Sequence, residues 1–314
     1  MDSRQRMSRL DRLRALAGSM SRQRRKPNPA HAIPAEDCDL TSKTIVLTGG
    51  TDGMGRAAVD IFCEMGAKVV LLGRNEAKAK PIVDELGPSV EFVHCDLSSL
   101  ASVRRAATQV LSDHPSIDAL VNNAGINAGE RQVTEEGFEV HWVVNYLGPF
   151  LLTSLLLDRV IASAPARIVN VSSAMEVFGH VHFDDLQLER DFSTGKAYSQ
   201  AKLALNMFTL DLSRRLEGSG VTAYALNPGF IKTNLLRDTK GSLSFGNVMM
   251  RLFASPPVVG ADRIVRLAVS SAYEGVSGQF IYEDEARPPN KEALDGEIVE
   301  RLMEVSRASA GVEG

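Results

Sequence analysis

Tyr198 and Lys202 stand four residues apart in the run Tyr198-Ser199-Gln200-Ala201-Lys202, and they are the residues of this chain best suited to moving a proton. Helical periodicity begins at the same place, with Ala201, Leu203, Leu205, Met207 and Phe208, so the two side chains share one helix face. An ammonium beside a phenol favours the phenolate and draws its pKa from about 10 toward neutrality, as a general acid/base at a carbonyl oxygen requires. Taken alone, the spacing is shared with many surface contacts.

A second cluster, Thr48-Gly49-Gly50-Thr51-Asp52-Gly53-Met54-Gly55, lies between an apolar run and a helical stretch that starts near Arg56. Glycines let backbone approach a pyrophosphate closely, and the helix N-terminus beyond them offers free N–H groups and partial positive charge. About 20 residues further on, an acidic residue would bind the ribose hydroxyls of NAD. Arg74 stands there instead, after Leu72-Gly73. A guanidinium matches a 2′-phosphate, which favours NADP(H) over NAD(H). Asp52 inside the turn argues the other way, and an exposed arginine at a strand end is the plainer reading of Arg74.

The elements that would carry these groups begin at Ser42, where short β-branched apolar runs alternate with helical stretches. Thr44–Thr48, Lys68–Leu72, Val90–His94, Ala119–Asn122, Arg167–Val171, Val221–Leu226 and Gly278–Tyr282 read as strands. Consecutive apolar positions such as Val69-Val70-Leu71-Leu72 mark strands covered on both faces. The expected fold is therefore α/β: a single doubly wound Rossmann domain over residues 41–314, with a seven-stranded parallel sheet and helices on both faces.

Residues 1–40 read as a basic extension, with nine Lys/Arg against two Asp up to Lys26, followed by Pro27, Pro29 and Pro34. A flexible arm, a helix docking on a membrane surface or partner, and an organelle-targeting peptide all fit that composition. The net charge of −4 gives no field that would gather nucleic acid. Cys38, Cys63 and Cys95 form no CxxC pair, which fits a reducing, cytoplasmic setting, peripheral to a membrane if the basic arm binds lipid. No apolar run approaches the roughly 20 residues of a bilayer span. His180 and His182, followed by Asp184 and Asp185, lack metal-site spacing, so no metal is expected. Glu283-Asp284-Glu285 reads as a solvated turn or a partner contact.

In order along the chain stand Thr48-Gly49-x-x-x-Gly53-x-Gly55, Asp96-Leu97, Asn122-Asn123-Ala124-Gly125, Asn145, Val171-Ser172-Ser173, Tyr198-x-x-x-Lys202 and Asn227-Pro228-Gly229. In these motifs, over roughly Lys43 to Tyr282, the chain resembles the short-chain dehydrogenase/reductase family. The resemblance implies that Tyr198 is the acid/base and that Lys202 binds the nicotinamide ribose and tunes Tyr198. It further implies that Ser173 holds the substrate oxygen and Asn145 holds a relay water. Ser172 is the other candidate for the hydroxyl, and Ser173 is favoured as the second of the pair. Carried over position by position, the cofactor would meet Thr48, Gly49, Thr51, Gly53, Met54, Gly55, Arg74, Asp96 and Leu97. It would also meet Asn123, Ala124, Gly125, Tyr198, Lys202, Pro228, Gly229 and Thr233. Turn or cap roles are the plainer readings of Asp96, Ser172 and the asparagine pair.

Asn145 to Thr153 and His182 to Leu186 resemble the retinol-dehydrogenase-type branch, which implies retinoid, steroid or lipid-like aldehydes, ketones and alcohols as substrates. Residues 232–256, rich in Leu, Phe and Met, read as a substrate lid or as a helix packed on a second copy in a homo-oligomer. The competing function is a non-catalytic NADP(H)-responsive interaction protein, which has no need for a tuned phenol.

Overall fold

The computed structural model describes residues 32–232 and 254–312. Thr233, most of the expected lid and residues 1–31 of the basic extension lie outside them. Seven strands run parallel: β1 (Thr44–Thr48), β2 (Lys68–Gly73), β3 (Val90–His94), β4 (Ala119–Asn122), β5 (Ala166–Val171), β6 (Val221–Asn227) and β7 (Gln279–Tyr282). An eighth, β8 (Glu285–Arg287), pairs antiparallel with β7, so the sheet has eight strands rather than the seven expected. Its three residues are all exposed and carry no apolar run from which a strand could be read.

The order is β3-β2-β1-β4-β5-β6-β7-β8, and the crossover direction reverses between β1 and β4. Ligands of open parallel sheets bind outside the carboxyl ends of the strands at such a reversal. Among the described residues seven helices pack about the sheet: α1 (Gly53–Glu64), α2 (Glu76–Leu86), α3 (Leu100–Asp113), α4 (Val140–Ala162), α5 (Thr194–Arg215), α6 (Pro257–Val269) and α7 (Gly296–Ala310).

Successive strand side chains point to opposite faces, and the two cores follow that rule. Val46, Val70, Val93, Leu120 and Ile168 pack with Val103 of α3, Phe150 of α4, Leu205 of α5 and Leu302 of α7. Ile45, Leu47, Val69, Leu71 and Val169 pack with Phe62 of α1, Ile82 of α2 and Ile264 of α6. This double cover explains why β1 is buried at every position.

α4 is long and apolar enough to cross a bilayer, yet 78% of its most apolar window is buried inside the fold. Its middle turn, Val143–Leu147, is a π-turn that closes with Gly148 N–H on Val143 O. Within the expected extension, Leu40 is buried and Asp37 accepts hydrogen bonds from Ser271 N and Oγ at 2.7 and 2.8 Å. Ser255 N–H donates to Phe230 O at 2.7 Å and Lys232 N–H to Ser255 O at 2.9 Å, so residues 232 and 255 form a neck.

Candidate active site

Four loops leave the carboxyl edge of the sheet beside one another: the glycine turn after β1, Asn123–Gly125 after β4, Ser172-Ser173 after β5 and Pro228-Gly229 after β6. A buried polar chain ties the middle strands to the helices beneath them. Asn122 Nδ2 donates to Thr153 Oγ1 at 2.9 Å and to Asn170 Oδ1 at 2.8 Å, and Asn170 Nδ2 donates to Thr209 Oγ1 at 2.9 Å. Burying a polar group without a partner costs free energy, so these bonds favour one register of β4, β5, α4 and α5. Asn170, Thr153 and Thr209 were not read from the sequence, although a polar Asn inside the apolar run Ile168-Val169-Asn170-Val171 is a visible sign.

Ser193 caps α5 by accepting from Lys196 N at 3.2 Å, so the helix starts before Tyr198 and that side chain sits a full turn inside it. Tyr198 and Lys202 are both buried, with Nζ 5.8 Å from the phenol ring centroid. Lys202 Nζ donates to Val171 O at 2.8 Å, which anchors the ammonium to the end of β5. Burial raises the Tyr198 pKa, partly offset by a hydrogen bond with Ser173. Burial also brings the Lys202 ammonium down to about 8. Desolvation thus outweighs the pull of the ammonium on the phenol that the spacing alone led one to expect.

The two serines separate cleanly. Ser173 Oγ accepts from Met175 N at 3.2 Å, opening a tight turn over Ala174–Phe178, and its hydroxyl works on the Tyr198 phenol in the direction of a lower pKa. Ser172 Oγ donates instead to the backbone oxygen of Lys202 at 3.4 Å. Asn290, far along the chain, clasps that turn: its Nδ2 reaches Glu176 O and Gly179 O at 3.1 and 2.9 Å, and its N–H reaches Glu176 Oε2 at 3.1 Å. Nothing in the local sequence pointed to Asn290.

Asn145 sits in the π-turn and is fully buried. Its Oδ1 accepts from Ile126 N at 2.8 Å and its Nδ2 donates to Ile126 O at 3.0 Å. A side chain at Gly125 would come within 3.1 Å of Asn145 Oδ1 and 3.6 Å of Lys202 Nζ, so Gly125 fills the corner between them.

At the glycine turn, Gly49 has φ +73° and a Cβ there would stand 2.8 Å from Ala124 Cα, so only glycine fits. Thr48 Oγ1 accepts from Asn123 N and Ala124 N at 3.0 and 3.1 Å, and Asn123 Nδ2 donates to Thr48 O and Gly49 O at 3.0 Å. Thr51, Gly53, Arg56 and Lys232 line a concavity of about 330 Å³ at the start of α1. Asp52 caps α1, accepting from Gly53 N at 2.7 Å. Met54 packs against Gly260 of α6. Arg74 is exposed after β2 and makes no ion pair among the described residues. Asp96 Oδ1 accepts from Ser98 N and Oγ at 2.9 and 2.7 Å, a turn role, while Leu97 is buried.

Pro228 O accepts from Arg263 Nη1 at 2.7 Å, and Gly229 has φ +79°. The acidic run is more than a solvated turn. Asp284 holds Arg263 and pairs with Arg266, and Glu283 adds a bond to Arg263. Burial opposes ionisation of Asp284, but hydrogen bonds from both arginines prevail and bring its carboxyl to about 2. The residues at this edge fit a dinucleotide. Buried Asn123 Oδ1 and Asn227 Nδ2, at strand ends, find no partner among the described residues, as suits groups reserved for a polar ligand.

With this fold and edge in view, the chain belongs to the short-chain dehydrogenases: residues 43–242 match that family. It is an oxidoreductase of a family that uses nicotinamide cofactors. It is 40% identical over 286 residues to retinol dehydrogenase 13 of Homo sapiens, covering 87% of this chain and 86% of that protein. Polyprenol dehydrogenase of Homo sapiens is 34% identical over 86% of both chains. A solved structure of an uncharacterised protein from Mycobacterium Paratuberculosis superposes with TM-score 0.73 at 30% identity, over 90% of this chain and 97% of that one.

Proposed function

We propose that this protein interconverts an apolar aldehyde or ketone and its alcohol with NADP(H), using Tyr198 to transfer the proton. The observation that carries the reading is the buried Tyr198, one helical turn from Lys202, whose ammonium is anchored at the end of β5 just before Ser173. When bound, the dinucleotide supplies or accepts the hydride at the carbonyl carbon. In reduction, the Tyr198 hydroxyl donates its proton to the carbonyl oxygen while Ser173 holds that oxygen in line. The raised pKa keeps the phenol protonated and ready to donate. The phenolate left behind is stabilised by the Lys202 ammonium, and oxidation runs the same path in reverse. Ser172, committed to the Lys202 backbone, takes no part.

Arg74 supports NADP(H) because it is exposed beside the glycine turn and has no competing ion pair among the described residues. Asp52, the apparent objection, is engaged as the cap of α1. An apolar substrate is supported by the exposed Met175, Val177 and Phe178 that follow Ser173, with Phe178 75% exposed, and by Phe230 after Gly229. The names of the relatives, a retinol and a polyprenol dehydrogenase, point the same way.

The test is nicotinamide absorbance with NADPH or NADH against all-trans-retinal, a long-chain aldehyde and acetaldehyde. Oxidation of NADPH with the two apolar carbonyls, and little with acetaldehyde or NADH, is the expected result. Equal rates with acetaldehyde would remove the apolar substrate, equal rates with NADH the cofactor preference, and no turnover with any carbonyl the enzymatic reading.

A further inference from the structure

We infer that His141, held by Glu139, is a positioning residue of this site: it anchors the loop after β4 through an unprotonated ring nitrogen. Both side chains are buried, at 0% and 1% exposure, and neither takes part in the chemistry described above. His141 Nε2 accepts from Ala128 N at 3.0 Å. The backbone N–H can only donate, so Nε2 carries no proton and the imidazole proton belongs on Nδ1. Nδ1 faces Glu139 Oε1 at 2.7 Å, where that proton is received. The other carboxylate oxygen, Glu139 Oε2, accepts from Trp142 N at 3.0 Å and so caps the start of α4. The two Glu139 oxygens are thus met by one imidazole N–H and by the N-terminus of a helix.

The arrangement matters because of what it holds. His141 and Asn145 lie four residues apart on α4, and both bind the same short loop: Asn145 grips both polar groups of Ile126, and His141 grips Ala128 N. Gly125, at the head of that loop, fills the corner between Asn145 Oδ1 and Lys202 Nζ. Glu139 extends the hold to a second loop, since its own N–H donates to Gln187 Oε1 at 2.7 Å. An imidazole whose tautomer is set by a carboxylate and whose free lone pair fixes backbone is the usual way of orienting a ring whose position matters. Here the group oriented is the backbone beside the reacting centre.

Two amide replacements separate anchoring from simple filling of space. Glutamine places its terminal oxygen where Nε2 stands and still accepts from Ala128. Asparagine reaches only the Nδ1 position, where it still donates to Glu139 but leaves the Ala128 N–H unmet. In His141→Gln, Ala128 N–H should stay protected from hydrogen exchange and kcat should stay within about twofold of the parent, whereas His141→Asn should expose that amide and lower kcat about tenfold or more with little change in carbonyl KM. Equal behaviour of the two variants in exchange and in kcat would overturn the inference. The kinetic arm rests on the reductase reading above, and the exchange arm does not, so an enzyme inactive on every carbonyl would sink that reading and leave exchange to decide this one. A nitrogen-15 histidine spectrum of the unaltered protein at neutral pH is the third measurement: a proton on Nδ1 alone is expected, and a proton on Nε2 overturns the inference even if neither variant folds.

Discussion

Around Tyr198 the side chains with a proposed role are tied into the protein, whereas at the other end of the cleft Arg74 stands in solvent. Lys202 is fastened to Val171, Asn145 to Ile126 and Ser173 to the Met175 backbone. Arg74 makes no ion pair among the described residues, and the glycine turn beside it offers backbone. Proton transfer fails when a hydroxyl is misplaced by a fraction of an ångström, so the chemical end is built into the core. A charge attracts a phosphate across a range of separations, so the arginine proposed to meet one can be left exposed.

The contrast can be broken most severely at the phenol. Tyr198→Phe removes one oxygen from a buried position, and turnover should fall by about 10³-fold or more. NADPH binding, followed by nucleotide fluorescence, should stay within about twofold, because the phosphate end is separate. Activity within tenfold of the parent would place the proton elsewhere. Next in size is Arg74→Ala, which should weaken NADPH by about 10- to 100-fold and leave NADH unchanged, as expected for loss of one charged hydrogen-bonding partner. Parallel weakening of both nucleotides in a titration would mean that Arg74 supports the turn rather than the phosphate.

A smaller effect comes from pH. Lys202 loses its proton as pH rises through about 8, and with it the cation proposed to stabilise the phenolate. The rate of carbonyl reduction should therefore fall about tenfold per pH unit above that value, and a profile flat to pH 10 would show that the ammonium is dispensable. The smallest effect lies behind Pro228. The Asp284 carboxyl sits at about 2 in the fold against an ordinary 3.8, so its contribution is fully present above pH 4 and lost as pH falls toward 2. Asp284→Asn should cost about 2 kcal/mol at neutral pH in denaturant unfolding, with the gap closing in acid. A gap that persists at pH 2 would trace the loss to shape rather than charge.

What could be read in advance follows from burial. Strands covered on both faces are continuous apolar runs, so β1 and β4 were legible to the residue, while β3, at the sheet edge and only partly buried, was legible from Val90, Phe92 and Val93. β8 has no buried side chain and left no trace. The start of α5 was set too late because its cap, Ser193, precedes the first apolar repeat. The order of motifs marked the phenol, the ammonium and the glycine turn. Partners distant in sequence were illegible: Asn290 on the turn after Ser173, His141 on Ala128, and Arg263 and Arg266 on the acidic run. Each is a pairing that only the folded chain creates. Ser173 was favoured over Ser172 only by its order in the pair, and the fold separates them physically: Ser172 Oγ turns to the Lys202 backbone oxygen, whereas Ser173 opens the turn over Ala174–Phe178.

The neck between Phe230 and Ser255 has an evolutionary corollary. Two backbone hydrogen bonds join Phe230 and Lys232 to Ser255, so the stretch just beyond Gly229 is held to the approach of α6, and sequence exchanged between relatives should keep both of these partners in place.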